Sequence, residues 1–309
     1  MIRGDPLNAQ VKQIKKCHGQ INIILKNNTN YHQDQQLIKK NPFSTLDKHF
    51  SSLIGMDNIK QSLIQIYAME QINNQRKAHN LKTTKQVYHM LFSGNPGTGK
   101  TTVARKLASI FYEIGVLPKN QILEVDRSEL VGEYIGQTAQ KTRSIIKKAL
   151  GGVLFIDEAY SLARGGEKDF GKEAIDTLVK YMEDYSTKFV LILAGYPREM
   201  NYFLSLNPGL KSRFPFLFTF PDYTEVELIH IAKGLLNERE YKLTREAELQ
   251  LKKHISKEKL NNKDFSNGRY IRNIIEKAIR HHAVRLMYEN DAPNEKQLSL
   301  ITVKDLKLI

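Results

Sequence analysis

The run GNPGTGKT, Gly94–Thr101, constrains this chain more than any other feature. It fits the spacing G-x-x-x-x-G-K-[ST]. It stands between the apolar run Val87–Gly94, which reads as a buried strand, and a helical stretch from Lys100 to about Gly115. Chemistry on phosphates requires that placement. Glycines let backbone N–H groups approach phosphate oxygens, and the start of the following helix adds a favourable field. Lys100 then reaches the β- and γ-phosphates, and the Thr101 hydroxyl binds Mg²⁺. The expected cradle is Gly94, Asn95, Pro96, Gly97, Thr98, Gly99, Lys100, Thr101 and Thr102. A Gly-rich turn that holds nothing is the plain alternative.

The surrounding pattern alternates. Apolar runs at Gln121–Asp126, Gly152–Glu158, Phe189–Tyr196 and Phe214–Phe220 read as four further strands. Helical stretches over Thr138–Leu150, Lys172–Tyr185 and the segment REMNYFL separate them, and Ile59, Leu63, Ile66 and Met69 form the apolar stripe of an earlier helix. Strands alternating with helices imply an α/β fold with a five-stranded parallel sheet covered on both faces. After Pro221 the strand signals nearly vanish, and helices are expected over 224–239, 245–258 and 268–288. The segment LSLITV near the end reads as one further short strand. The expected division is a basic polar segment at 1–48, a nucleotide-binding domain at 49–220 and a small helical lid at 221–309.

A magnesium–nucleotide site needs carboxylates at the end of a buried strand. VLFIDE supplies them: Asp157 for the Mg²⁺ shell, and Glu158 to polarise the attacking water. Phosphoryl transfer also needs cations near the γ-phosphate. Arg213, in NPGLKSRF, precedes the fifth strand, and Arg269, in SNGRYIRN, opens a helix of the second domain. The Arg269 stripe, with Arg272, Glu276 and Arg280, also reads as a solvated face opposite Ile271, Ile274, Ile275 and Ala278.

The formal net charge of +14 is densest in the first fifty residues, so an acidic partner fits there as well as a solvated tail does. Ile21–Leu25 in that segment reads as a short strand. One cysteine, Cys17, makes no internal disulfide, and no Cys/His spacing suggests zinc. His281 and His282 are expected at a polar surface. The first residues hold no apolar signal region and no run is long enough to span a bilayer, so the expected location is the cytoplasm, with no membrane partner.

These motifs together resemble those of AAA+ ATPases, in the same order and spacing. LVGEYIGQTAQKT, GGVLFIDEAYSLARGGEKDFGKEAID, LILAGYPREM and NPGLKSRFPF resemble the CbxX/CfxQ subfamily, over roughly Leu53 to Leu286. The resemblance implies ATP as substrate with Mg²⁺, a homo-hexameric ring, and ATP at subunit interfaces. Arg213 would be a finger into the neighbour's site, Arg269 the lid sensor, and Gly55 part of the adenine pocket. Many AAA+ proteins place a polar sensor after the fourth strand. Here the strand ends LAGY, so Tyr196 is either that sensor or a packing aromatic.

The resemblance also gives the loop around Tyr134, Ile135 and Gly136 a role. In such rings the aromatic–aliphatic–glycine tip lines a central pore and grips an extended protein client by stacking and apolar contact. The alternative has Tyr134 packed under the next helix. Two other functions remain open: a nucleic-acid motor or loader, without a recognisable DNA-binding module, and a nucleotide-switched scaffold, which Glu158 and Arg213 argue against.

Overall fold

The computed structural model describes residues 16–17, 20–21, 43–50, 53–134, 136–164, 170–206, 208–262, 265–289 and 292–307. Two units are distinguished, Met1–Pro42 and Phe43–Ile309. In the first, Lys16–Cys17 pairs antiparallel with Gln20–Ile21. The expected strand thus begins one residue earlier, and its remainder, 22–25, lies outside the described residues.

The second unit opens with helices α1 (Ser44–Phe50) and α2 (Asp57–Ala78). Leu46 of α1 is fully buried in the sheet's core, so that core draws on chain upstream of residue 48. Five strands follow: β1 (Met90–Gly94), β2 (Ile122–Val125), β3 (Val153–Ile156), β4 (Val190–Gly195) and β5 (Phe216–Phe220). All pair in parallel, in the order β2-β3-β4-β1-β5. The helices between them are α3 (Lys100–Glu113), α4 (Arg127–Leu130), α5 (Gln137–Ala149), α6 (Gly171–Asp184), α7 (Pro197–Leu206) and α8 (Pro208–Lys211).

Strand alternation sorts the core into two layers. Met90, Phe92, Val153, Phe155, Val190 and Ile192 face one side, with Leu107, Ile110 and Phe111 of α3. Leu91, Leu154, Ile156, Leu191 and Leu193 face the other, with Ile146 of α5, Leu178 of α6 and Phe203 of α7. Each fully buried side chain of this size contributes about 1.5–3 kcal/mol. Of the expected α2 stripe, Ile59, Leu63 and Ile66 are buried but Met69 is exposed. At the start of β1 the ladder is replaced by a side chain. The backbone N–H of Leu191 donates to Nδ1 of the buried His89, 3.0 Å away, between the rings of Phe189 and Phe214.

The lid comprises α9 (Glu225–Asn237), α10 (Arg245–Asn261), α11 (Asn267–Tyr288), α12 (Glu295–Ser299) and α13 (Val303–Leu306). Lys242–Leu243 pairs in parallel with Leu300–Ile301, the short strand expected there. A reciprocal capping box between Thr224 and Glu227 starts α9 directly after the linker from β5. Ile271, Ile274, Ile275 and Ala278 recur at helical spacing on α11 and fill the lid core. His282 corrects an expectation: it is buried, its Nε2 2.9 Å from Gln297 O and its ring edge-on to Tyr241. The buried face of α11 extends to this turn, where α12 covers it, despite the polar local sequence.

Candidate functional site

The strand order reverses beside β1, and the loop leaving its C-terminal end lies at that switch point, where open α/β sheets bind ligands. Gly94 abuts Phe220 of β5, whose carbonyl leaves 2.6 Å for a Cβ. Gly97 and Gly99 turn the loop with φ of +71° and +92°. Thr98 Oγ1 donates to Asn95 O at 2.8 Å. Lys100 is buried, and its ammonium donates to Gly94 O and Asn95 O, both at 2.8 Å. Burial holds its pKa below the ordinary lysine value; Asp157 opposes that shift and Arg269 adds to it. Thr101 is half-buried and Thr102 exposed, both in the first turn of α3.

The loop's outer side is committed to the lid. Asn95 Nδ2 donates to both carboxylate oxygens of Asp222 at 3.0 Å. Pro96 O accepts from Asn267 Nδ2 at 3.3 Å, and Gly97 O accepts from Gly268 N at 3.0 Å. Asp222 and Asn267 were not among the expected site residues. The one sequence cue was Asn before Gly at the head of a helix. Gly55 has φ +67°, and its neighbour Met56 packs against both the sheet core and the lid core, 3.0 Å from where a Cβ at Gly99 would stand.

Asp157 and Glu158 follow the last residue of β3. Asp157 N extends the ladder to Val125 O at 3.2 Å, and Glu158 N donates to Asp157 Oδ1 at 2.9 Å. Glu158 has φ +46°, which turns it out of the strand direction and leaves it exposed. Both carboxylates line a cleft of about 650 Å³ with Asp126, Ser128, Val131, Glu133 and Lys141. Tyr196, after β4, lies with its ring 5.8 Å from the Lys100 ammonium and 5.6 Å from the Tyr160 ring. Arg269, on the first turn of α11, is exposed and near enough to Lys100 to act on its charge.

Arg213 stands elsewhere. Its guanidinium pairs with Glu183 of α6 and donates to Gly209 O, and it is not among the charges felt by Lys100. Tyr134 is 66% exposed, which excludes packing under α5. Its loop is nevertheless anchored at the base. Gly132 N donates to the buried Thr138 hydroxyl at 2.9 Å, Thr142 donates to Leu130 O at 3.1 Å, and Lys141 donates to Val131 O at 3.1 Å. Gly136 closes the loop with φ +83°. Ile135 lies outside the described residues. Among the described residues, no three His, Cys, Asp or Glu side chains gather as a metal cluster, and no helix is long and apolar enough to cross a membrane.

Residues 90–222 match the model of the ATPase family associated with various cellular activities (AAA), and residues 224–309 match the AAA lid domain. Stage V sporulation protein K of Bacillus subtilis (strain 168) is 52% identical over 307 residues, covering 95% of each chain. Protein CfxQ of Xanthobacter flavus is 41% identical, covering 82% of this chain and 80% of its own. The chloroplastic ribulose bisphosphate carboxylase/oxygenase activase of Cyanidioschyzon merolae is 41% identical, covering 84% of this chain and 88% of its own. Matched across both the sheet and the helical lid, the chain belongs to the AAA family of ATPases, among the CfxQ and stage V sporulation protein K proteins, and its reaction is the hydrolysis of ATP.

Proposed function

We propose that this ATPase works in the cytoplasm as a homo-hexameric ring that pulls a protein client past Tyr134. The observation that carries this reading is an aromatic side chain 66% exposed on a loop whose stem is bonded to α5. A large apolar ring held out on a firm base suits gripping an extended chain without regard to its sequence. The stem residues Val131 and Glu133 line the same cleft as Glu158, so a change at the carboxylates has a short route to the loop. An activase that is 41% identical supports a protein as the client, and the stage V relative supports a role in sporulation.

The residues fit Mg²⁺ and ATP. Gly94, Gly97 and Gly99 carry no side chains of their own to cover the loop's backbone N–H groups. Two of the three protons on the Lys100 ammonium are spent on loop carbonyls, and Asp157 is close enough to act on its charge. Thr101 and Asp157 would hold Mg²⁺, which when bound supplies positive charge to the phosphate oxygens. Lys100 neutralises the terminal phosphates, and Glu158, exposed to the cleft, orients water for attack. Gly55 and Met56 fit the base. Arg269 acts from the lid of the same subunit. Arg213, held by Glu183 away from its own loop, acts on a neighbouring subunit. Tyr196, facing the Lys100 ammonium, stands where a polar sensor is usual.

ATPase measurements test the assembly and the client together. Arg213→Ala protein is expected to bind ATP yet turn over roughly 10³-fold slower. Mixed with Lys100→Ala subunits it should regain activity, since each supplies what the other lacks. No recovery with subunit exchange confirmed sinks the action across an interface. An unfolded polypeptide should stimulate the wild type but not Tyr134→Ala. A nucleic-acid motor is the second reading, favoured by the +14 net charge. Stimulation by DNA instead, with a steep salt dependence, would establish it.

A further inference from the structure

We propose that Asn267 is a positioning residue for nucleotide exchange: its carboxamide latches the lid onto the nucleotide loop, and release of ADP waits on that latch. This deepens the nucleotide-site reading above and rests on it. Asn267 is the first residue of α11, fully buried, with φ +46°. Asparagine tolerates that conformation better than most residues with a Cβ, but the side chain does more than permit it. Its Nδ2 lies 2.7 Å from Asp222 Oδ1 and 3.3 Å from Pro96 O, and its Oδ1 accepts from Tyr223 N at 3.0 Å. One amide therefore ties together the nucleotide loop, the linker from β5 and the lid helix.

The neighbouring contacts concentrate the junction on this residue. Asp222 receives Asn95 from the loop, and Gly268 N donates to Gly97 O. Gly97 has no room to give, since a Cβ there would collide with Ser266 O and stand 2.8 Å from Arg269 N. On the other side of the linker, Tyr223 O accepts from Lys259 Nζ of α10 at 2.6 Å. The linker is thus fixed to the lid, and a rotation of the lid away from the loop breaks the contacts that Asn267, Gly268 and Asp222 make with it. Any movement of the loop as phosphates leave shifts Pro96 O and Gly97 O, the acceptors for those same two residues.

Asn267→Gly is the informative variant, because glycine keeps the positive φ and deletes only the carboxamide. In nucleotide-free protein the Gly268 amide, whose own acceptor is unchanged, is expected to exchange its hydrogen about tenfold faster, the scale of one lost hydrogen bond to a charged group. A fluorescent ADP analogue should dissociate faster by a similar factor. Should Asn267→Gly fold poorly, Asp222→Asn, an exposed position, should move both readouts the same way by less. Asn267→Asp sets two carboxylates together and should be worse than glycine; adding Asp222→Asn to it should recover part of the loss. Unchanged Gly268 exchange and unchanged ADP dissociation in a folded variant overturn the latch. Wild-type protein that binds no ADP analogue overturns it too, and intact Gly268 protection in that case assigns the failure to the nucleotide site.

Discussion

Two glycine-punctuated loops, one directly after β1 and one after β2 and the short α4, are built in opposite ways. At Gly97, φ +71°, a methyl group would collide with the lid backbone; at Gly136, φ +83°, nothing stands within 4 Å. The first loop is a socket, whose carbonyls are taken by Lys100, Asn267 and Gly268. The second is a finger, bonded at its base through Thr138 and Thr142 and bare at its tip. The same conformational freedom therefore serves close approach in one place and projection in the other. Burial, and not the residue type, separates the two loops.

The contrast can be broken by four substitutions. Lys100→Ala should have the largest effect, lowering ATP affinity by about 1,000-fold, because its ammonium makes charge-assisted contacts each worth about 1.5–3 kcal/mol. A titration showing near wild-type affinity would remove the socket from the nucleotide site. Gly97→Ala adds left-handed strain to a backbone collision, together about 3 kcal/mol, or about 6–12 °C in Tm. Gly136→Ala meets open space and carries the strain alone, about 1 kcal/mol. Tyr134→Ala should change unfolding free energy by less than about 0.5 kcal/mol, since its ring is mostly in water. Thermal denaturation of all three orders them. Equal losses at Gly97 and Gly136 would erase the distinction between the loops.

Much of the frame was legible in the chain. Each of the five strands was recognisable as a short apolar run, and the sheet alternates faces along them as a parallel sheet must. The ends were less so. β1 was expected from Val87 but begins at Met90, because His89 takes up the Leu191 N–H with its ring. That substitution of side chain for backbone leaves no periodic trace. Asp157 and Glu158 were readable because their place at a strand end is a local property. Asn267 was not, since its meaning depends on Asn95, Pro96 and Asp222, which only the fold brings to it. His282 misled for a related reason: neighbouring polar residues suggested surface, while α13 and α12 cover that turn of α11.

The His89 clasp has a consequence for acid tolerance. A ring that accepts through Nδ1 must be neutral there, and burial pushes its pKa from 6.5 down to about 4. The unfolded chain takes up a proton below 6.5, while the folded chain refuses it until about 4. Unfolding therefore absorbs protons across that window, and stability contributed by this group is whole above it and declines as pH falls through it, by at most about 1.4 kcal/mol per pH unit. Below about 4 the folded ring is protonated as well and can no longer accept at Nδ1. The middle of the sheet, with no carboxylate involved, thus sets its own lower limit of pH.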